Sequence, residues 1–84
     1  MNKKQRQTIQ KIFEKPERSD ISWGDIERLF IALGAEVTEG KGSRVRVALN
    51  DVRAVFHRPH PKRETNKGTV KSVQRFLIES GVKA

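Results

Sequence analysis

Between Gly42 and Pro61 apolar and polar residues alternate with a period of two, whereas elsewhere in the chain apolar residues recur every three or four positions. The alternating stretch predicts a β-hairpin. Val45, Val47 and Leu49 interleave with Arg44, Arg46 and Ala48, and Val52, Ala54 and Phe56 interleave with Arg53, Val55 and His57. Asn50 and Asp51 stand between the two runs, and both residue types tolerate the positive φ that a two-residue turn demands. With those two as the loop, Leu49 faces Val52, Val47 faces Ala54, Val45 faces Phe56 and Arg44 faces His57. One face of the ribbon is then apolar, and the other bears three arginines and a histidine.

The longer period predicts helices on both sides of the hairpin. Ile26, Leu29, Phe30 and Leu33 form a core-facing stripe in a helix with Ser22 as N-cap, Asp25 three residues on and Gly34 as terminator. Trp23, beside Ile21 at the start of that helix, is read as a lid on the core. Val70, Val73, Phe76 and Leu77 form the stripe of a last helix, capped by Thr65 or Asn66 and ended by Gly81. Residues 2–14 carry only Ile9, Ile12 and Phe13 on a narrow stripe before Pro16, which leaves open a docked helix or a loose arm. Residues 35–39 read as a short strand, followed by a G-K-G-S turn into the hairpin.

The expected architecture is therefore an N-terminal helical extension over residues 1–20 and a domain over 21–84 with the order α-β-β-β-α. This is an α+β two-layer sandwich, a three-stranded antiparallel sheet with its helices on one face. A chain of 84 residues supports one thin core and leaves no room for a separate catalytic lobe. It has no cysteine and two histidines, which removes thiol chemistry and argues against a structural zinc site. The G-K-G-S turn lacks the spacing and the strand-to-helix context of a P-loop, so no nucleotide cofactor is expected. No stretch has the length or hydropathy of a membrane span or a secretory signal, and the expected location is the cytoplasm.

Charge sharpens the picture. The net charge of +8 is unevenly spread: +3 over residues 1–20, −3 over 21–40, +6 over 41–63 and +2 over 64–84. The excess on the hairpin and the loop after it is the footprint of a polyanion partner, most simply nucleic acid. Candidate contacts are Ser43, Arg44, Arg46, Arg53, Arg58, His60 and Lys62. All four phenylalanines fall on apolar stripes, so contact with the RNA backbone fits better than a platform of stacked bases. RNA can also be cut when a base activates the 2′-hydroxyl, a cation stabilises the phosphorane and an acid protonates the leaving oxygen. His57 opposite Arg44 supplies such a pair.

Several segments together resemble the HicA toxin family, the small ribonuclease partners of HicB antitoxins. They are A-L-G-A at residues 32–35, the Gly42-Ser43 pair opening a strand, V-F-H-R-P-H from Val55 to His60, and K-G-T-V-K-S-V from Lys67 to Val73. The resemblance covers residues 22–82. It implies a fold like that of double-stranded RNA-binding domains, an endoribonuclease that cleaves mRNA without metal, and neutralisation by an antitoxin covering the active face. One departure accompanies it: the family's usual histidine follows the G-S pair, and Arg44 stands there in this chain. Either His57 takes over proton transfer, or the domain grips nucleic acid without cutting it. A further alternative is an interaction protein whose basic face exists to meet an acidic antitoxin.

Overall fold

The computed structural model describes residues 1–59 and 63–82. Helix α1 (Lys3–Ile12) is followed by α2 (Trp23–Ala32) and α3 (Lys67–Glu79). Strands β2 (Glu36–Glu39), β3 (Arg44–Leu49) and β4 (Val52–His57) form an antiparallel sheet in the order β2-β3-β4. Two-residue strands β1 (Ile21–Ser22) and β5 (Glu64–Thr65) pair separately. The result is the expected α+β sandwich, with the arrangement of a double-stranded RNA-binding domain.

The hairpin register is the one the alternation predicts, from Leu49 opposite Val52 to Arg44 opposite His57. Asn50 and Asp51 both adopt positive φ, 50° and 68°, the type I′ geometry whose twist matches that of the flanking strands. The inward side chains Val45, Val47, Leu49 and Phe56 are buried against the helices, together with Ile26, Leu29 and Phe30 of α2 and Val70, Val73, Phe76 and Leu77 of α3. At the centre, the Phe30 ring stacks on Phe56 with centroids 5.7 Å apart and meets Phe76 edge-on at 5.6 Å. Trp23 closes the cluster 5.8 Å from Phe56 and is 5% exposed. The aromatic residues are thus spent on the core, with Phe13 half-buried against it.

Both core helices end in the same way. Gly34 and Gly81 take positive φ, and the next residue's amide reaches back to the helix, Ala35 to the Phe30 carbonyl and Val82 to that of Leu77. This is the Schellman arrangement, and only glycine enters it without steric cost. At its start α3 is capped by Asn66, whose side chain accepts from the Thr69 amide. Thr65, the other candidate, is instead buried in β5.

Three features depart from, or go beyond, the sequence reading. Ser22 sits at the N-cap of α2, but its side chain makes no capping bond. It is drawn into the bridge with Glu64, and the first amide of α2, on Trp23, donates to the Arg63 carbonyl at 3.0 Å. The β1–β5 pair was not expected, because two residues carry no readable period. Helix α1 docks: Ile9 and Ile12 are buried in the common core, and Gln74 of α3 donates through Nε2 to the Ile12 carbonyl. Two well-placed isoleucines and one buried amide hold an otherwise polar helix.

Candidate nucleic-acid interface

The side of the sheet away from the helices is built by parity alone. Residues opposite each other in the ladder lie on one face, so Thr38, Arg46 and Val55 form one row across the three strands and Glu36, Ala48 and Arg53 the next. Arg44 and His57 form a third row at the open end of the hairpin. Every member of these rows except half-buried Ala48 is exposed. In a hairpin closed by two residues the pair flanking the loop exchanges both backbone hydrogen bonds, and bonded and non-bonded pairs then alternate. The alternation continues beyond the strand, where the Arg58 amide donates to the Ser43 carbonyl at 2.9 Å. Arg44 and His57 therefore form a non-bonded pair, the closer kind, in which Cα atoms lie about 4.5 Å apart.

Of the arginines outside this face, three are paired with carboxylates and three, Arg6, Arg63 and Arg75, form no ion pair among the described residues. Arg18 is held by Glu14 and Asp20, and Arg28 by Asp25. Arg44, Arg46 and Arg53 form no ion pair among the described residues. Their charges face solvent uncompensated. Between the rows lies an open concavity of about 550 Å³, lined by Glu36, Thr38, Arg46, Ala48, Arg53 and Val55 with the strand backbone beneath. Val55, at 54% exposure, and the small Ala48 make its apolar floor.

Arg58, expected among the nucleic-acid contacts, is placed elsewhere. It has the opposite parity to His57, so its side chain turns to the helix side. There Nε and Nη2 donate to the Glu27 carboxylate at 2.8 and 3.1 Å, and Nη1 donates to Glu39 at 2.6 Å. The Trp23 indole N–H donates to the same Glu27 carboxylate. Pairing, first with Glu27 and then with Glu39, raises the Arg58 pKa further, and the Arg58 hydrogen bond lowers that of Glu39. Arg58 thus clamps the end of β4, the end of β2 and α2 together, directly beneath the strand end that carries His57. Ser43 is exposed in the turn before β3, with its carbonyl taken by the Arg58 amide. His60 and Lys62 lie outside the described residues.

Sequence reasoning missed Glu36 and Thr38 as members of this face. The signal was available in Val37, the apolar residue of β2, whose inward direction sends Glu36 and Thr38 outward. It also missed the acidic partners of Arg58, because Glu27 and Glu39 lie 31 and 19 residues away.

The fold and this face define a small basic α+β sandwich with one sheet surface left open. Residues 23–82 match the family model described as the HicA toxin of bacterial toxin-antitoxin systems, and the chain belongs to that family. It is the toxin of such a pair, and an antitoxin is its partner. No curated protein and no solved structure was found to match the chain. Among the described residues no helix is long and apolar enough to cross a membrane.

Proposed function

We propose that this toxin acts on RNA, binding the backbone across the open face of β2-β3-β4 and cleaving mRNA beside His57. The observation that carries the reading is the clustering of charge: Arg44, Arg46 and Arg53 stand in successive rows of one exposed sheet face, and none of them has a carboxylate partner among the described residues. Arg44, Arg46 and Arg53 hold phosphates, with Ser43 at the margin. His60 and Lys62, on the loop that follows, join these contacts on the strength of the sequence alone. In the cleavage step the neutral His57 imidazole takes the proton of a 2′-hydroxyl, and the 2′-oxygen attacks the adjacent phosphorus. The bond from phosphorus to the 5′-oxygen breaks, and that oxygen takes a proton from water. Arg44, opposite His57, offsets the charge on the phosphorane oxygens. The products are a 2′,3′-cyclic phosphate and a 5′-hydroxyl, and the step calls for no cofactor.

A HicB-type antitoxin with an acidic surface would neutralise the toxin by covering the same face, and mRNA as target places the action in the cytoplasm. A second reading, binding without cleavage, is favoured by Arg44 standing where the family's usual histidine is found.

Binding to a single-stranded RNA, measured against salt concentration, tests the interface. Each phosphate neutralised contributes about 0.7 to the slope of log K on log salt for a single strand. Arg44→Ala, Arg46→Ala and Arg53→Ala should each weaken binding and flatten that slope by about 0.7. Slopes unchanged in all three variants would remove this face from the interaction.

A further inference from the structure

The face that gathers three unpaired arginines also holds one carboxylate, and the proposed backbone binding gives it nothing to do. Glu36 is exposed and forms no ion pair among the described residues, although Arg46 lies diagonally beside it in the ladder. A carboxylate on a surface meant only for phosphate weakens binding. It lines the 550 Å³ concavity, whose volume lies within the ~300–1,000 Å³ range of small-molecule sites.

The row across the sheet at this point is Glu36, Ala48, Arg53. Ala48 leaves the middle strand low, and its flanking partners stand two strand spacings apart, roughly 9–10 Å. A flat base lying over Ala48 and against Val55 would have a pure acceptor on one side and a pure donor on the other. Guanine fits that polarity. Its N1–H and N2–H₂ form a double-donor edge that matches a carboxylate, and its O6 and N7 form the double-acceptor edge that arginine reads with two parallel hydrogen bonds. Adenine has a ring acceptor where guanine has N1–H, which would face Glu36 with a lone pair. Uracil and cytosine are smaller and lack the second edge. Arg46, diagonal to Arg53 at about 7–8 Å, is left to hold the adjoining phosphate.

We infer that this concavity is a guanine-reading subsite for single-stranded RNA, with Glu36 as the specificity-determining residue and Arg53 turning from phosphate to the opposite base edge when a guanine is seated there. The inference rests on the RNA-binding reading and adds a base preference to it.

Fluorescence anisotropy with two labelled heptamers, a single guanosine or a single adenosine flanked by three uridines on each side, tests the site. Both are 2′-O-methylated throughout, so that attack by a 2′-oxygen cannot consume them. The wild-type chain should bind the guanosine probe about 10-fold more tightly, within the range expected for one good bidentate contact. Glu36→Ala should bring the two probes within about 2-fold of each other, while the adenosine probe is bound as well as before or better, since a repulsive charge is gone. Circular dichroism of the variant should be unchanged because Glu36 is exposed. Equal binding of both probes by the wild type, or a guanosine preference that survives Glu36→Ala, would overturn the subsite and leave RNA binding standing. Failure of the wild type to bind either probe would overturn RNA binding itself.

Discussion

Arg44 and His57 face each other across a non-hydrogen-bonded position of the β3–β4 ladder, at the end of the hairpin farthest from its turn. Their relationship is fixed by backbone geometry rather than by side-chain contacts. The type I′ turn at Asn50-Asp51 sets the register, and every later pair follows from it. Slipping β3 by one residue against its partner would turn Arg44 and Arg46 inward and Val45 and Val47 outward. The apolar face that builds the core is therefore what aligns the basic one.

Beneath that pair, Arg58 ties β4 to Glu27 on α2 and Glu39 on β2. Hydrogen bonds to charged groups contribute roughly 1.5–3 kcal/mol when protected, and here solvent reduces this, because the Arg58 side chain is 35% exposed. Arg58→Ala should lower the unfolding free energy by about 1–2 kcal/mol in urea titrations. Arg53→Ala, an exposed arginine without a partner, should stay within about 0.5 kcal/mol of wild type. Equal effects would mean that the clamp contributes nothing to stability.

The clamp also predicts how acid acts on the fold. The Arg58 hydrogen bond holds Glu39 below its ordinary carboxylate value of 4.5, so the unfolded chain takes up this proton before the folded one does. The stability this pair contributes is complete above about pH 4.5 and is lost as pH falls through the lowered native value. Urea midpoints measured from pH 7 to pH 3 should fall below that point, and fall less steeply in Arg58→Ala. Asp20, held near 2 by Arg18, adds a parallel loss at still lower pH that Arg58→Ala leaves in place.

Phe56 is the residue through which the hairpin enters the core, since its ring contacts Trp23, Phe30 and Phe76. Phe56→Ala should cost about 3–5 kcal/mol, enough to unfold much of a domain of this size. Phe56→Leu, which keeps most of the volume, should cost less and retain the function of the exposed face. Thermal unfolding followed by circular dichroism would check both.

Much of this was legible because the hairpin closes on two residues that accept positive φ, which turns an alternating pattern into a register. The stripes of α2 and α3 and their terminal glycines were readable for a similar reason, as each local preference agreed with the packing. The docking of α1 was not, because Ile9 and Ile12 alone do not say which surface receives them. The β1–β5 bridge left no pattern at all. Arg58 was misplaced by treating residues after His57 as a loop decorated with charge, although strand parity held for one more residue and sent it to the helix side. Glu36 and Thr38 escaped notice because residues 35–39 were read as a strand without assigning its faces, and the phase carried by Val37 was not used.

The central claim, that the pair on this face cuts RNA, is tested most directly by incubating the purified chain with single-stranded RNA in EDTA beside Arg44→Ala and His57→Ala variants of intact fold. We expect cleavage by wild type, fragments ending in 2′,3′-cyclic phosphate, and a loss of at least about 100-fold in rate for His57→Ala, the usual contribution of a general base. Undiminished cleavage by His57→Ala would remove that histidine from the mechanism. RNA left intact but shifted on the gel by wild type would contradict catalysis and establish a domain that binds without cutting.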